Sequence, residues 1–257
     1  MAEKPDEFIQ SFANGLRLIC AYNSEHARMT LSEVAARCDM TRAMARRLLW
    51  TLEKLGYVEN SGRLFYLKPK ILELGYAYLS SQRLLTVAQP LMERLALRVQ
   101  ESCSMSVLDG PDIMYVLRIP TKRIMKVNLG VGTRLPAWPT SMGRILLGSL
   151  TEPELDIYLE QTTPQALTAH TVTDKAQLKQ IIQSCSSQGW AIVNQELELG
   201  LCSVAVPLRN PQGKIIAAIN IGTPSTETAI ENFKSQYLSE LQQTATEIMS
   251  LMSYQTY

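Results

Sequence analysis

The chain has 257 residues, of which 46% are hydrophobic and 19% charged, and its formal net charge is +1. These values fit a soluble globular protein of one large or two ordinary domains and exclude a histone-like or wholly basic binder, though not a local basic face. No stretch approaches the roughly 20 apolar residues that cross a bilayer, so no membrane partner is expected. The acidic, polar opening Met1–Glu7 does not resemble a secretory leader. The five cysteines, Cys20, Cys38, Cys103, Cys185 and Cys202, form no CxxC pair. That usage points to a reducing cytoplasm and against a disulfide framework or a zinc site. His26 and His170 stand isolated in polar stretches and read as ordinary surface residues.

In chain order, the first periodic segment, Phe8–Ile19, places Phe8, Phe12, Leu16 and Ile19 on one helical face. After a polar break, Thr30-Leu31-Ser32-Glu33 is a capping box opening a short helix to about Cys38, which buries Leu31, Val34 and Ala35. Asp39-Met40-Thr41 then forms a turn, with Thr41 capping a third helix whose apolar stripe is Ala45, Leu48, Leu49, Leu52 and Leu55. Arg42, Arg46 and Arg47 lie off that stripe, and Gly56 ends the helix. Two short helices joined by a tight turn, the second with an arginine-bearing face, make a helix-turn-helix. The N-terminal half of such a helix enters the major groove, where arginine bonds guanine edges or phosphates. Tyr57–Leu67 reads as strand, turn and strand, a wing that carries Arg63 beside Gly62. From His26 to Lys68 there are eight Lys/Arg against four Asp/Glu, a local basic excess in a nearly neutral chain. The expected partner is a double-stranded DNA operator; a three-helix domain with solvated arginines, or a winged helix used for protein contacts, is the plainer reading.

Leu67–Leu79 continues with helical spacing from Pro69 and carries more apolar surface than a free linker should. It packs either on a partner subunit, setting the spacing of two reading heads, or on its own domain. One winged helix reads few base pairs, which favours pairing.

The rest of the chain is expected to be an α+β sensor domain. A helix over Leu84–Glu101, interrupted by Pro90, precedes strands at Cys103–Leu108, Ile113–Ile119 and Ile124–Leu129. Helices follow at Ser141–Ser149, Glu152–Glu160 and Asp174–Gln188, then a meander at Gly189–Glu196, Leu201–Arg209 and Lys214–Gly222, and a closing helix from about Thr226 to Met252. The chain therefore divides into a winged helix-turn-helix over 1–69, a connector over 70–82 and an effector-binding domain over 83–257. No GxSxG, HExxH, P-loop or dinucleotide fingerprint is present, so no catalytic residue, metal or cofactor is assigned. The best pocket candidate is Arg134–Arg144, where Thr140-Ser141 opens a helix suited to a carboxylate, Trp138 offers a flat apolar face and Arg134 a charge-assisted bond. A capped helix with a core tryptophan explains the same string equally well.

The N-terminal reader, the connector and the strings Gly189–Leu201 and Ala217-Ala218-Ile219-Asn220-Ile221 resemble IclR-type transcription regulators over nearly the whole chain. Thr41-Arg42-Ala43 with Arg46-Arg47, Glu101-Ser102-Cys103-Ser104, Leu135-Pro136-Ala137 with Thr140–Arg144, and Gln195–Leu201 are similar to the PcaR/PcaU/PobR aromatic-acid branch of the β-ketoadipate pathway. The resemblance implies a GAF-like effector domain, a homodimer or dimer of dimers, and control of aromatic catabolism genes by protocatechuate or 4-hydroxybenzoate. The expected reading residues are Thr41, Arg42, Ala43, Arg46, Arg47 and Arg63, and the resemblance places pocket positions at Ser141, Met142, Gly143, Val193, Ser203, Asn220 and Gly222, beside the candidates Arg134, Trp138 and Thr140. The chain departs from the pattern at Trp138-Pro139, which is bulkier than usual, at Cys202, where arginine is usual, and at Gly222, where serine is common. Two alternatives stand beside an aromatic-acid regulator: a regulator of a non-aromatic short-chain acid, and an enzyme acting on a small acid with an accessory winged helix.

Overall fold

The computed structural model describes residues 8–121, 129–225 and 236–253. The chain splits into two compact units, 1–81 and 82–257.

The first unit contains α1 (Gln10–Cys20), β1 (Met29–Thr30), α2 (Leu31–Arg37), α3 (Arg42–Lys54), β2 (Val58–Ser61), β3 (Leu64–Leu67), a 3-10 turn at Pro69–Ile71 and α4 (Leu72–Ser81). The local signals in the sequence set its boundaries. Thr30 closes a capping box with Glu33, and the Thr41 hydroxyl accepts from the Met44 amide, each cap contributing about 1 kcal/mol. Gly56 leaves α3 at φ +82°, and Gly62 turns the wing at φ +68°, conformations that cost a side-chain residue more. The three strands pair antiparallel in the order β1-β3-β2. Leu18, Met29, Val34, Ala35, Ala45, Leu49, Leu52 and Val58 form the core beneath them.

The expected apolar face of α1 is largely uncovered: Phe8, Phe12 and Leu16 are exposed, and the helix instead turns Asn14 and Leu18 inward. Helical spacing identifies an apolar stripe but not what covers it. The connector shows the same feature. Its first turn is 3-10 rather than α-helical, Tyr57 donates to the Glu73 carboxylate, and Lys70 Nζ donates to the Leu55 carbonyl at 3.0 Å. Beyond that anchorage Leu72, Leu74, Tyr76 and Tyr78 stay exposed.

The second unit contains α5 (Arg83–Val99), β4 (Ser102–Asp109), β5 (Asp112–Ile119), β6 (Arg134–Pro136), α6 (Ser141–Leu147), α7 (Glu152–Gln161), α8 (Lys175–Gln188), β7 (Ala191–Asn194), β8 (Leu201–Arg209), β9 (Ile215–Pro224) and α9 (Leu238–Ser253). Six strands form one antiparallel sheet in the order β6-β5-β4-β9-β8-β7. Alternation along the strands divides the sheet into two faces. Ala191, Ala205 and Ala218 pack under α6 and α8 in a cluster with Trp138, Met142, Ile145, Leu155 and Ile182. α5 and α9 pack on each other and on the central strands.

The edge strand β6 was not expected from the sequence; three residues ending at Pro136 show no period, and pairing with β5 decides their conformation. The strand expected at Ile124–Leu129 falls outside the described residues except for Leu129, and the closing helix is described only from Leu238. No helix among the described residues is long and apolar enough to cross a membrane.

Candidate functional site

Two sites emerge, one in each unit. In the first, α3 presents its solvent side. Thr41, Arg42, Ala43, Arg46, Arg47 and the wing residue Arg63 are all exposed, and Ala45, Leu49 and Leu52 hold the helix to the core. The arginines are not equivalent. Arg46 shares an outward stripe with Ala43 and Trp50, at spacing i, i+3 and i+7. Arg47 also borders an apolar groove between α1 and α3 that Phe12, Leu16, Met44, Leu48 and Leu55 line. The wing carries further positive charge: the Arg28 guanidinium lies 4.7 Å over the Tyr66 ring of β3. Trp50, 62% exposed among these cations, is a residue that the sequence pattern did not single out.

The second site is a pocket lined by the start of α6 and by residues of the strands β4, β5, β7, β8 and β9. Of the sequence-expected pocket residues, Thr140, Ser141, Met142, Val193, Ser203, Asn220 and Gly222 line it together. Antiparallel register explains the convergence: Ser104 pairs with Asn220, and Gly222 with both Ser102 and Ser203. The Ser141 and Ser203 hydroxyls are 2.9 Å apart, which ties α6 to β8 across the cavity.

Arg134, Trp138 and Gly143 lie elsewhere. Arg134 is on the exposed edge strand, where it donates to Asp109 and Asp112; those carboxylates hold its guanidinium above its ordinary pKa. Trp138 is a core residue packed among Ile145, Leu155 and Tyr158. Gly143 has a packing role: a Cβ there would sit 1.9 Å from the Ala137 carbonyl oxygen. Nor is the start of α6 an open amide cradle. Thr140 Oγ1 accepts from the Gly143 amide at 3.0 Å, and α6 is seven residues long.

The cation of the cavity is instead Arg118, on β5. Its Nη1 donates to Ser104 Oγ at 3.1 Å. Burial pulls its pKa below the ordinary arginine value, but a guanidinium keeps its proton in a protein. Beside it on the wall stand Tyr115, whose phenol burial pushes up to about 12, and Asn220, whose buried amide oxygen has no hydrogen-bond partner among the described residues. Pro139, Met142, Val193, Leu197 and Leu201 supply apolar surface. The arrangement combines a permanent positive charge, a buried acceptor and an apolar lining. It can hold a small organic acid that also carries a hydroxyl.

One wall is braced from behind by an ion pair. Arg144 Nη1 and Nη2 donate to the two Glu196 oxygens at 2.8 and 2.7 Å, with the Arg144 side chain 3% exposed and that of Glu196 10%. Arg144 Nε also donates to the Trp138 carbonyl, and the Val172 amide to Glu196. Thr168 and Thr171 donate to the carbonyls of Gln195 and Glu196. These bonds fix the segment that carries Leu197.

Burial pushes the Cys103 thiol up to about 12 and that of Cys202 up to about 11, far from thiolate reactivity. Among the described residues no cluster of His, Cys, Asp or Glu could hold a metal ion.

Comparison with known proteins assigns a family to each unit. The family model for the IclR helix-turn-helix domain matches residues 11–62, and that for the bacterial transcriptional regulator IclR C-terminal matches 76–250. The Pca regulon regulatory protein of Pseudomonas putida is 43% identical over 218 residues, 84% of this chain and 75% of that protein. A transcriptional regulator from Rhodococcus sp. RHA1 of known crystal structure is 47% identical, with a TM-score of 0.86 over 96% of this chain and 99% of that one. The inducer-binding domain of a PobR double mutant from Acinetobacter, solved with 3-hydroxybenzoic acid, is 29% identical, with a TM-score of 0.61 over 65% of this chain and 97% of that one. The protein is a DNA-binding transcription regulator and not an enzyme: it belongs to the IclR family.

Proposed function

We propose that the protein regulates aromatic-acid catabolism genes in response to a hydroxylated benzoate bound in the Arg118 cavity. The observation that carries this reading is that the lining of one cavity holds both the Arg118 guanidinium and the buried Asn220 amide oxygen, which has no hydrogen-bond partner among the described residues. A charged donor favours a carboxylate by charge-assisted bonding, and a buried acceptor without a donor costs free energy until a ligand hydroxyl meets it. A benzoate ring between them covers the apolar walls. The 3-hydroxybenzoic acid complex of the Acinetobacter domain and the Pca regulon role of the Pseudomonas relative support the same choice. On this reading Thr41, Arg42, Ala43, Arg46 and Arg63 meet the operator, with Arg47 at the edge of the interface. The uncovered apolar faces of α1 and α4 pair two copies into a homodimer, or a dimer of dimers. A regulator of chromosomal genes works in the cytoplasm.

A thermal-shift panel tests the ligand. 4-Hydroxybenzoate and protocatechuate are expected to raise the melting temperature, since a ligand at 100 times its Kd stabilises the native state by about 2.7 kcal/mol. Glyoxylate and 4-hydroxybenzamide are expected to leave it unchanged, the first lacking the ring and the second the charge. A shift with glyoxylate alone overturns the aromatic reading in favour of a short-chain acid.

A further inference from the structure

We propose that Trp50 is a DNA-contacting residue that seats α3 on the sugar–phosphate backbone at the rim of the major groove. Four observations carry this. Trp50 is 62% exposed, whereas the core of its unit takes Ala45, Leu49 and Leu52 from the same helix. It lies on the outward stripe of α3, one turn beyond Arg46 and Arg47, which are its i−4 and i−3 neighbours. It is absent from the apolar groove between α1 and α3, so a second protein chain seated there leaves the indole uncovered. Finally, the cation–ring contacts among the described residues are Arg28 with Tyr66 and Lys70 with Tyr57, so the Trp50 ring is not stacked under an arginine of its own helix.

The chemistry of the indole selects the contact. Its single Nε1–H donates and accepts nothing, and its ring offers a broad apolar face. A phosphate oxygen takes the donor, and a deoxyribose packs on the face. Bases in the groove floor are read by bidentate groups, which indole lacks. Position along the helix agrees. The N-terminal half of a recognition helix enters the groove, and Trp50 is in the second half of α3. Such contacts fix register without reading sequence.

The test uses the full chain, a duplex spanning the region upstream of its own gene and a scrambled duplex of equal length. Trp50→Ala is expected to weaken binding to both duplexes by a similar factor, about tenfold. Trp50→Phe keeps the ring face and is expected to lose less. The slope of log K against log salt stays at its wild-type value in both variants, because a neutral side chain releases no counterion; Arg46→Ala lowers that slope by about one. Acrylamide quenching gives a second readout. The component of tryptophan emission that Trp50→Phe removes is expected to become shielded when either duplex is added. Unchanged affinity of Trp50→Ala, a loss confined to the upstream duplex, or unchanged quenching would each overturn the proposal. Matching circular dichroism of the three proteins excludes unfolding as the cause of a loss.

Discussion

Arg118→Met is expected to weaken hydroxybenzoate binding by about 30-fold or more while leaving DNA binding in the absence of ligand intact. The guanidinium is the cation on the cavity wall, and a hydrogen bond to a charged group contributes about 1.5–3 kcal/mol. Removing one partner from a desolvated pair adds the cost of stranding the other, here the ligand carboxylate. Methionine preserves most of the volume and the apolar stem, so the cavity does not collapse. Isothermal titration of both proteins with 4-hydroxybenzoate and 4-hydroxybenzamide reads the effect: the wild type discriminates acid from amide, and the variant does not. Equal affinity of the two proteins for the acid would remove Arg118 from the site. A further check is Asn220→Leu, which removes the unpartnered acceptor and should reduce the preference for a ring hydroxyl.

The second large effect concerns stability. Arg144→Met is expected to destabilise the protein by about 3–5 kcal/mol, because it leaves the buried Glu196 carboxylate without its bidentate partner. That corresponds to a fall in melting temperature on the order of 10 °C for a unit of this size. The double variant Arg144→Met/Glu196→Leu is expected to recover much of the loss, since apolar replacements of a buried pair are often neutral. If the single variant melts within a degree or two of the wild type, the pair does not brace the cavity wall. The pair also couples stability to function. Glu196 precedes Leu197, which lines the cavity, so the single variant should bind the acid more weakly even where it remains folded.

The winged unit was largely legible from local chemistry. The capping box at Thr30 and Glu33, the Thr41 cap and the glycines at 56 and 62 are signals that act over a few residues, and the structure uses each of them. What covers a face is a different matter. Phe12 and Leu16 have the spacing of a core stripe, yet they are exposed, because helical spacing marks an apolar stripe and not what covers it.

The pocket positions Val193, Ser203 and Asn220 came from the resemblance to the family and not from strand periodicity, and all three line the cavity. Arg118 was missed for a specific reason. β5 pairs Tyr115 with Ser106 but Leu117 with Met105, so Val116 is an extra residue in a bulge. Two-residue alternation sends Tyr115 and Arg118 to opposite faces; the bulge brings both to the cavity. Arg134, by contrast, drew notice because it shortly precedes the conspicuous string Pro136-Ala137-Trp138-Pro139, but β6 carries it to the sheet edge and two aspartates. Gly143 shows a third limit. A Cβ there would sit 1.9 Å from the Ala137 carbonyl oxygen, a close packing of the approach loop on its helix that no periodicity reports.

An acid in the Arg118 cavity is expected to alter how the α3 stripe holds a duplex, which needs the ligand to favour one state of the protein by differential affinity. Fluorescence anisotropy of a labelled duplex from upstream of its own gene, titrated with protein in the presence and absence of saturating 4-hydroxybenzoate, measures this directly. Binding is expected to exceed that to scrambled duplex and to change by about fivefold or more when the acid is added. Superimposable curves with and without the acid, on a duplex the protein does prefer, would contradict it.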